Sequence, residues 1–96
     1  MMVVYHPAVQ RDVNRILRHY DGVNERLGDD FWAELNSFIR KAAANPTLFH
    51  FAGPNRRRVN LRCFPCHFLF REISGGIRII AVRHHKQHPQ RGLRRR

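Results

Sequence analysis

The sequence predicts an α+β fold in which an N-terminal β-strand and an α-helical hairpin pack on a small, twisted antiparallel β-sheet. Apolar residues recur at helical spacing through positions 9–44. The stretch from Arg58 to His85 instead holds short runs rich in Val, Ile, Leu and Phe, separated by a Phe-Pro step and by Ser74-Gly75-Gly76. That pattern is typical of three antiparallel strands. At 96 residues the chain is predicted to form a single domain, 1–96.

The first strand and the first helix are predicted from the N-terminal residues. Met2 to Tyr5 form a short β-prone run that ends at His6-Pro7. Proline suits the first turn of a helix, where its missing N–H costs nothing. Asp21-Gly22 is expected to end this helix. Its apolar stripe is Val9, Val13, Ile16, Leu17 and Tyr20.

The second helix is predicted to begin near Asn24, whose side chain suits an N-cap. It ends at Asn45-Pro46, because a residue before proline is disfavoured in the α region. The turn between the first and second helices is so short that the two amphipathic helices are predicted to form a hairpin, with their apolar stripes packed against one common surface. The apolar positions of the second helix are Val23, Leu27, Phe31, Leu35, Phe38, Ile39 and Ala42.

The strands are predicted from their alternation after a loop at 47–55. In the first strand of the meander, the apolar side chains are Val59, Leu61 and Cys63, and they alternate with Arg58, Asn60 and Arg62. In the last strand, simple alternation places Ile77, Ile79, Ala81, Arg83 and His85 on one face, and Ile80, Val82 and His84 on the other. The tail, 86–96, is basic and is expected to be mobile until it meets a partner.

Charge is distributed unevenly along the chain. Residues 1–50 contain six Lys or Arg and six acids, whereas residues 51–96 contain twelve Lys or Arg against Glu72 alone, which leaves +11. A field of this kind favours a polyanion such as nucleic acid, or an acidic protein. A solvated basic surface without a specific ligand is the alternative. The residues expected to bind the target are Arg56, Arg57, Arg58, Arg62, Arg83, Lys86 and Arg91.

The location is predicted to be cytoplasmic, without membrane association. No apolar run approaches the roughly 18 residues of a membrane span, and the start of the chain does not read as a signal peptide. Cys63 and Cys66 are therefore expected to stay reduced.

Two cysteines fall in the pattern Cys63-Phe64-Pro65-Cys66-His67, which matches the attachment sequence of c-type haem. Without an export signal that interpretation is rejected. A zinc site would need Cys63, Cys66 and two of His67, His84, His85 and His88. Alternation places Cys63 in the core, so structural cysteines are favoured, and no cofactor or metal is predicted.

Phe64, Phe68 and Phe70 suit base stacking, but core packing is favoured for them.

The cluster Arg83-His84-His85-Lys86 is the strongest candidate for chemistry. RNA cleavage by 2′-OH attack needs a base, an acid and cations around the phosphate; histidine supplies the first two and arginine the third. Arg62 on a neighbouring strand is expected to lie opposite His84 and His85. The alternative is a basic edge that only binds phosphate or an acidic partner. Glu72 is expected to pair with a nearby arginine.

The order of these features resembles the RelE/ParE superfamily of toxins from bacterial type II toxin–antitoxin systems. The resemblance covers nearly the whole chain and implies the fold given above, with an acidic or amphipathic antitoxin that wraps the toxin and neutralises it. The residues that carry it are Pro7-Ala8, Asp12, Phe31, Leu35, Asn45-Pro46, Phe64-Pro65, Phe68-Leu69-Phe70-Arg71, Ile79, Ala81-Val82, His84 and Pro89.

The resemblance implies one of two activities. RelE-like members cut mRNA, usually in the ribosomal A site, with basic residues and often a C-terminal tyrosine or histidine, whereas ParE-like members poison DNA gyrase. Both tyrosines of this chain, Tyr5 and Tyr20, lie in the helical half. The Phe-Pro hairpin and the last strand ending in histidine look closer to ParE-like sequences. A non-toxic module that binds nucleic acid is the third hypothesis, and enzymatic activity is left open, with His84, His85 and Arg62 as catalytic residues for a nuclease.

Overall fold

The structure is a computed structural model that describes residues 2–86 and Arg95. As predicted, the protein is α+β, and within the described residues no helix has the length and apolar character needed to cross a membrane. A 3-10 turn at Pro46–Leu48 follows the second helix. The elements are β1 at Met2–Tyr5, α1 at Val9–Asp21, α2 at Glu25–Ala44, β2 at Arg57–Asn60, β3 at Cys66–Ile73 and β4 at Gly76–His84.

The four strands form one mixed sheet in the order β1-β4-β3-β2. β3 runs antiparallel to both β2 and β4, as the meander predicted, but β1 lies parallel to β4. We expected β1 to pack on a three-stranded antiparallel sheet, but it is the fourth strand of that sheet, which is therefore mixed. Side-chain alternation has the same period beside a parallel or an antiparallel neighbour, so it carries no information about the direction of β1.

A β-bulge interrupts β4 in the middle of the sheet. Leu69 pairs with Ala81 and Phe70 pairs with Ile79, so Ile80 is an extra residue opposite the β3 ladder. In such a bulge two successive side chains lie on the same face of the sheet. The face predicted for Ala81 and for the residues after it is wrong, because the bulge reverses the alternation from that point.

The two helices cover one face of the sheet, and the main core lies between them. Val82 belongs to this core together with Ile77 and Ile79, whereas Leu69, Ile80 and Ala81 form a separate buried cluster. The core prediction is confirmed for Phe64, Phe68 and Phe70, all of which are buried. The remaining large core side chains are Val9, Val13, Ile16, Tyr20, Phe31, Leu35, Ile39, Val59 and Leu61.

The second helix begins at its predicted N-cap. The Oδ1 atom of Asn24 accepts a hydrogen bond of 2.9 Å from the backbone N–H of Leu27, which confirms the predicted N-cap of α2. Because Asn24 is the cap, Val23 lies outside the helix and is 65% exposed. Its assignment to the apolar face of α2 is wrong.

Asp12 supplies a hydrogen-bond acceptor to the edge of β4 beyond the point where β1 ends. The backbone N–H of His6 donates to the carbonyl of Ile79 at 2.8 Å, and beyond that point β1 provides no partner. The Oδ2 atom of Asp12, buried in α1, accepts from the backbone N–H of Val82 at 3.1 Å. A buried N–H without an acceptor is costly, so this contact fixes α1 against β4.

Substitution of Gly76 tests how closely β1 approaches β4. A Cβ atom at Gly76 would stand 1.9 Å from the carbonyl oxygen of Met2. Gly76→Ala must push β1 away, and we expect it to lower the free energy of unfolding by about 2 kcal/mol or more. Urea denaturation measures this loss, and hydrogen exchange at the amide of His6 reports release of β1.

The matched control is Ser74→Ala, which changes an exposed residue of the same turn. It should leave both readouts near those of the parent protein. Unchanged stability in Gly76→Ala would show that β1 does not lie against β4 at this register.

Candidate functional site

The sheet face opposite the helices, here called the basic face, collects most of the cationic side chains of the strands. Its outline is set by the register of β2, β3 and β4 and by the bulge. The only acid of these strands, Glu72, shares the face of Phe70 and pairs with Arg57 at 3.3 Å, as predicted. The members of the basic face are Arg58, Asn60, His67, Leu69, Arg71, Arg78, Ile80, Ala81, Arg83 and His85.

His67 lies at the centre of this face. It is only 5% exposed, its Nε2 accepts from the Nε of Arg83 at 3.0 Å, and its ring centroid is 5.1 Å from that of His85. Because Nε2 is the acceptor, a neutral ring carries its proton on Nδ1. That Nδ1 atom is buried and has no hydrogen-bond partner among the described residues. The basic face therefore holds a buried donor beside two arginines.

Burial, and after it the positive charge of the face, shifts the pKa values of side chains on the face. Burial, with added repulsion from Arg58, Arg83 and His85, lowers the pKa of His67 to about 3. The pKa of Arg83 is also lowered, first by burial and then by Arg58 and Arg56. His67 is therefore neutral at pH 7 and acts as an acceptor that positions Arg83.

A wide groove of about 1180 Å³ adjoins the basic face beside the loop that precedes β2. Arg57 is fixed at its wall, because its guanidinium lies 4.0 Å from the ring centroid of Phe51 and donates to the carbonyl of Phe49 at 2.7 Å. Arg71 and Ile80 lie on the sheet side of the groove. The groove therefore offers an arginine-lined concave surface continuous with the face.

Arg95 connects the C-terminal region to this surface. Its backbone carbonyl accepts from Arg56 at 2.7 Å, and its guanidinium pairs with the buried carboxylate of Asp12 at 2.5 Å. Apart from Lys86 and Arg95, the predicted mobile tail, 86–96, falls on 87–94 and 96, outside the described residues. Arg91, a predicted binding residue, falls there as well.

The structure separates the predicted catalytic residues. His85 stacks on His67 at the basic face, whereas the His84 ring centroid lies 6.2 Å from that of His19 in α1, on the helical side. Arg62 is exposed on the loop between β2 and β3, where its backbone N–H donates a hydrogen bond to the carboxylate of Glu34 in α2. His85 thus joins His67 and Arg83, and His84 belongs to a different surface.

The predicted target-binding residues also divide. Arg58 and Arg83 lie on the basic face, and the buried Arg56 joins them through Arg95. Lys86 is exposed just after β4.

The position of His67 could have been predicted from the sequence. His67 lies between the core residues Cys66 and Phe68, and alternation alone places its side chain on the opposite face of the sheet.

One of the two cysteines lies differently from the prediction. β2 ends at Asn60, so the alternation does not reach Cys63, which is exposed rather than in the core. Cys66 is buried, with its Sγ 3.8 Å from the hydroxyl of Tyr20, and burial raises the pKa of its thiol to about 11. Among residues 2–86 and Arg95, no group of three His, Cys, Asp or Glu side chains is placed to bind a metal ion.

The chain matches no family model and no curated protein. Interpretation of the basic face therefore depends on its own chemistry. The exposed Arg58 and His85 and the half-buried Arg83, which donates to the buried imidazole of His67, form a surface that can bind phosphate or carboxylate oxygens.

The buried imidazole predicts a specific pH dependence of stability. In the unfolded chain His67 takes up a proton as the pH falls through 6.5, but in the folded state it does so only near pH 3. The unfolded state therefore binds more protons in this window, and folding stability falls as the pH falls, by up to about 1.4 kcal/mol per pH unit. Above pH 6.5 this penalty is absent.

His67→Gln keeps an acceptor for Arg83 and removes the titration. Urea denaturation between pH 3.5 and 7, chosen within the window of about 3 to 6.5 and just above it, should give a shallower loss of stability for this variant than for the parent. His50→Gln, at an exposed position, is the control for the change of residue type. Equal slopes for the parent and His67→Gln would contradict burial of a neutral ring.

Proposed function

We propose that this chain is the toxin component of a type II toxin–antitoxin system, which arrests growth and is neutralised by a cognate acidic or amphipathic antitoxin. The order of its elements, with β1, a helical hairpin and then a β2–β4 meander, supports the resemblance drawn from the sequence. The observation that carries the proposal is the basic face, where Arg58, Arg83 and His85 surround His67 without a strand carboxylate on the same side.

The proposed action is ParE-like, with DNA gyrase as the target. An arginine-rich face accelerates encounter with a negatively charged partner and binds carboxylates or phosphates through paired N–H donors. The absence of a tyrosine after Tyr20 in the sequence favours this action over RNA cleavage. So does His67, because an imidazole with a pKa of about 3 carries no ionisable proton at neutral pH to donate as an acid.

The first experiment expresses the chain from a tightly regulated promoter and follows growth and DNA supercoiling. We expect growth arrest with gyrase-dependent DNA damage in cells, and inhibition of supercoiling by the purified protein. Arg58→Glu reverses one exposed charge of the basic face and should abolish both effects, since charge reversal replaces attraction by repulsion.

The matched control is Arg26→Glu, which makes the same change at an exposed position of α2. It should remain toxic. Full supercoiling activity of gyrase at saturating protein would remove the gyrase target, and harmless expression with strongly salt-dependent nucleic-acid binding would instead indicate a non-toxic binding module.

An mRNA endonuclease, acting alone or on the ribosome, is the second candidate, and the contact between His85 and His67 favours it. His85 is exposed and is the histidine of the face available as a base for the 2′-OH, while Arg83 and Arg58 are placed to stabilise the phosphate. His67 would then be a positioning residue for Arg83. His84 and Arg62 lie outside this arrangement.

Cleavage of RNA by the purified chain separates the two candidates. For a nuclease at the basic face, we expect His85→Gln to lower the cleavage rate by about 100-fold or more, as for loss of a general base. His84→Gln and Arg62→Gln should change the rate much less. Equal loss in His84→Gln would contradict a site on the basic face, and absence of cleavage by the parent chain supports the gyrase hypothesis.

A further inference from the structure

A second cationic site lies on the other side of the sheet, between α1 and the end of β4. It is a cleft of about 300 Å³. The cleft is separate from the basic face, because the bulge places His84 on the helical side and His85 on the opposite side. Its lining residues are Arg15, Ile16, His19, His84 and Lys86.

The fold brings these side chains together from two elements. Arg15 and His19 are four residues apart on α1 and therefore lie on one side of the helix. Ile16, only 3% exposed, is the apolar residue of the lining. From the other side, the His84 ring centroid approaches that of His19 to 6.2 Å.

His84 is held in one tautomer within this cleft. Its Nδ1 accepts a hydrogen bond of 3.1 Å from the backbone N–H of Lys86. The ring proton therefore resides on Nε2, which is a donor even when the imidazole is neutral. Burial, His19 and Lys86 all lower the pKa of His84, which keeps the ring in this neutral form.

No acid balances the cations of the cleft. The ion pairs among residues 2–86 and Arg95 are Arg57–Glu72 and Arg95–Asp12, so Arg15 and Lys86 have no carboxylate partner there. Asp12, one turn before Arg15 on α1, is engaged with Arg95 and with the backbone of Val82. The sequence contains no acid after Glu72.

We propose that the α1–β4 cleft is a phosphate-binding site, in which a phosphate group contacts Arg15, His19, His84 and Lys86. Donors from a guanidinium, two imidazoles and an ammonium approach from both walls, which suits a tetrahedral anion with three or four acceptor oxygens better than a planar carboxylate with two. The phosphate is free inorganic phosphate or the terminal phosphate of a nucleotide. This site is independent of the function proposed for the basic face.

The test uses the full chain with inorganic phosphate as the probe and NMR of the histidine side chains as the readout. Saturable shifts are expected for the ring resonances of His19 and His84, with smaller shifts at the exposed His50. Arg15→Gln should weaken binding by about tenfold or more, as for loss of a charge-assisted hydrogen bond. The matched control, Arg11→Gln, removes the same charge from the exposed surface of α1 and should bind as the parent does.

Two further titrations assign the source and the selectivity. Tighter binding of adenosine 5′-monophosphate than of inorganic phosphate assigns the site to nucleotides, and equal binding assigns it to phosphate alone. The proposal is overturned if the shifts do not saturate, or if acetate or a glutamate-rich peptide binds as tightly as phosphate. It is also overturned if Arg11→Gln weakens binding as much as Arg15→Gln, because that outcome reflects net charge rather than a site.

Discussion

The extra residue in β4 is the constraint on which the arrangement of both surfaces depends. Ile77 and Ile79 face the helices before the bulge, and Val82 returns to the same core after it. With uninterrupted alternation, Val82 would leave the core and Arg83 would enter it, where burying an unpaired guanidinium is very costly. The bulge therefore reconciles a continuous apolar core with cationic side chains on the opposite face.

Backbone partners at the edges of the sheet hold this arrangement in place. Asp12 accepts a hydrogen bond from the backbone of β4 beyond the end of β1. Glu34 accepts hydrogen bonds from the backbone N–H groups of Arg62 and Cys63 in the β2–β3 loop, the one from Cys63 at 2.9 Å. Both carboxylates come from the helices, whose charges are balanced along the sequence. The helical half thus supplies anions at the edges, and the strands carry the excess of cations.

Features governed by local chemistry were predictable from the sequence. The cap at Asn24 needs only a side chain that can bond the first turn, and the Glu72–Arg57 pair needs only one acid among many arginines. Features decided by tertiary contacts were not predictable. The parallel pairing of β1, the early end of β2 that exposes Cys63, and the bulge at Ile80 all depend on which strand edge is free and on how the helices cover the sheet. The candidate site shared this limit: alternation grouped Arg83 with His85 and separated them from His84, but the bulge determined which side of the sheet each of them faces.

Methyl NOESY spectra of the isotopically labelled chain test the central claim most directly. If β4 carries the bulge, the methyl groups of Val82 give NOEs to core residues of α1 such as Val13 and Ile16, and those of Ile80 give NOEs to Leu69 but none to α1. If Ile80 and Val82 instead show the same set of neighbours, β4 alternates without interruption. The residues assigned to the basic face and to the α1–β4 cleft would then both be wrong.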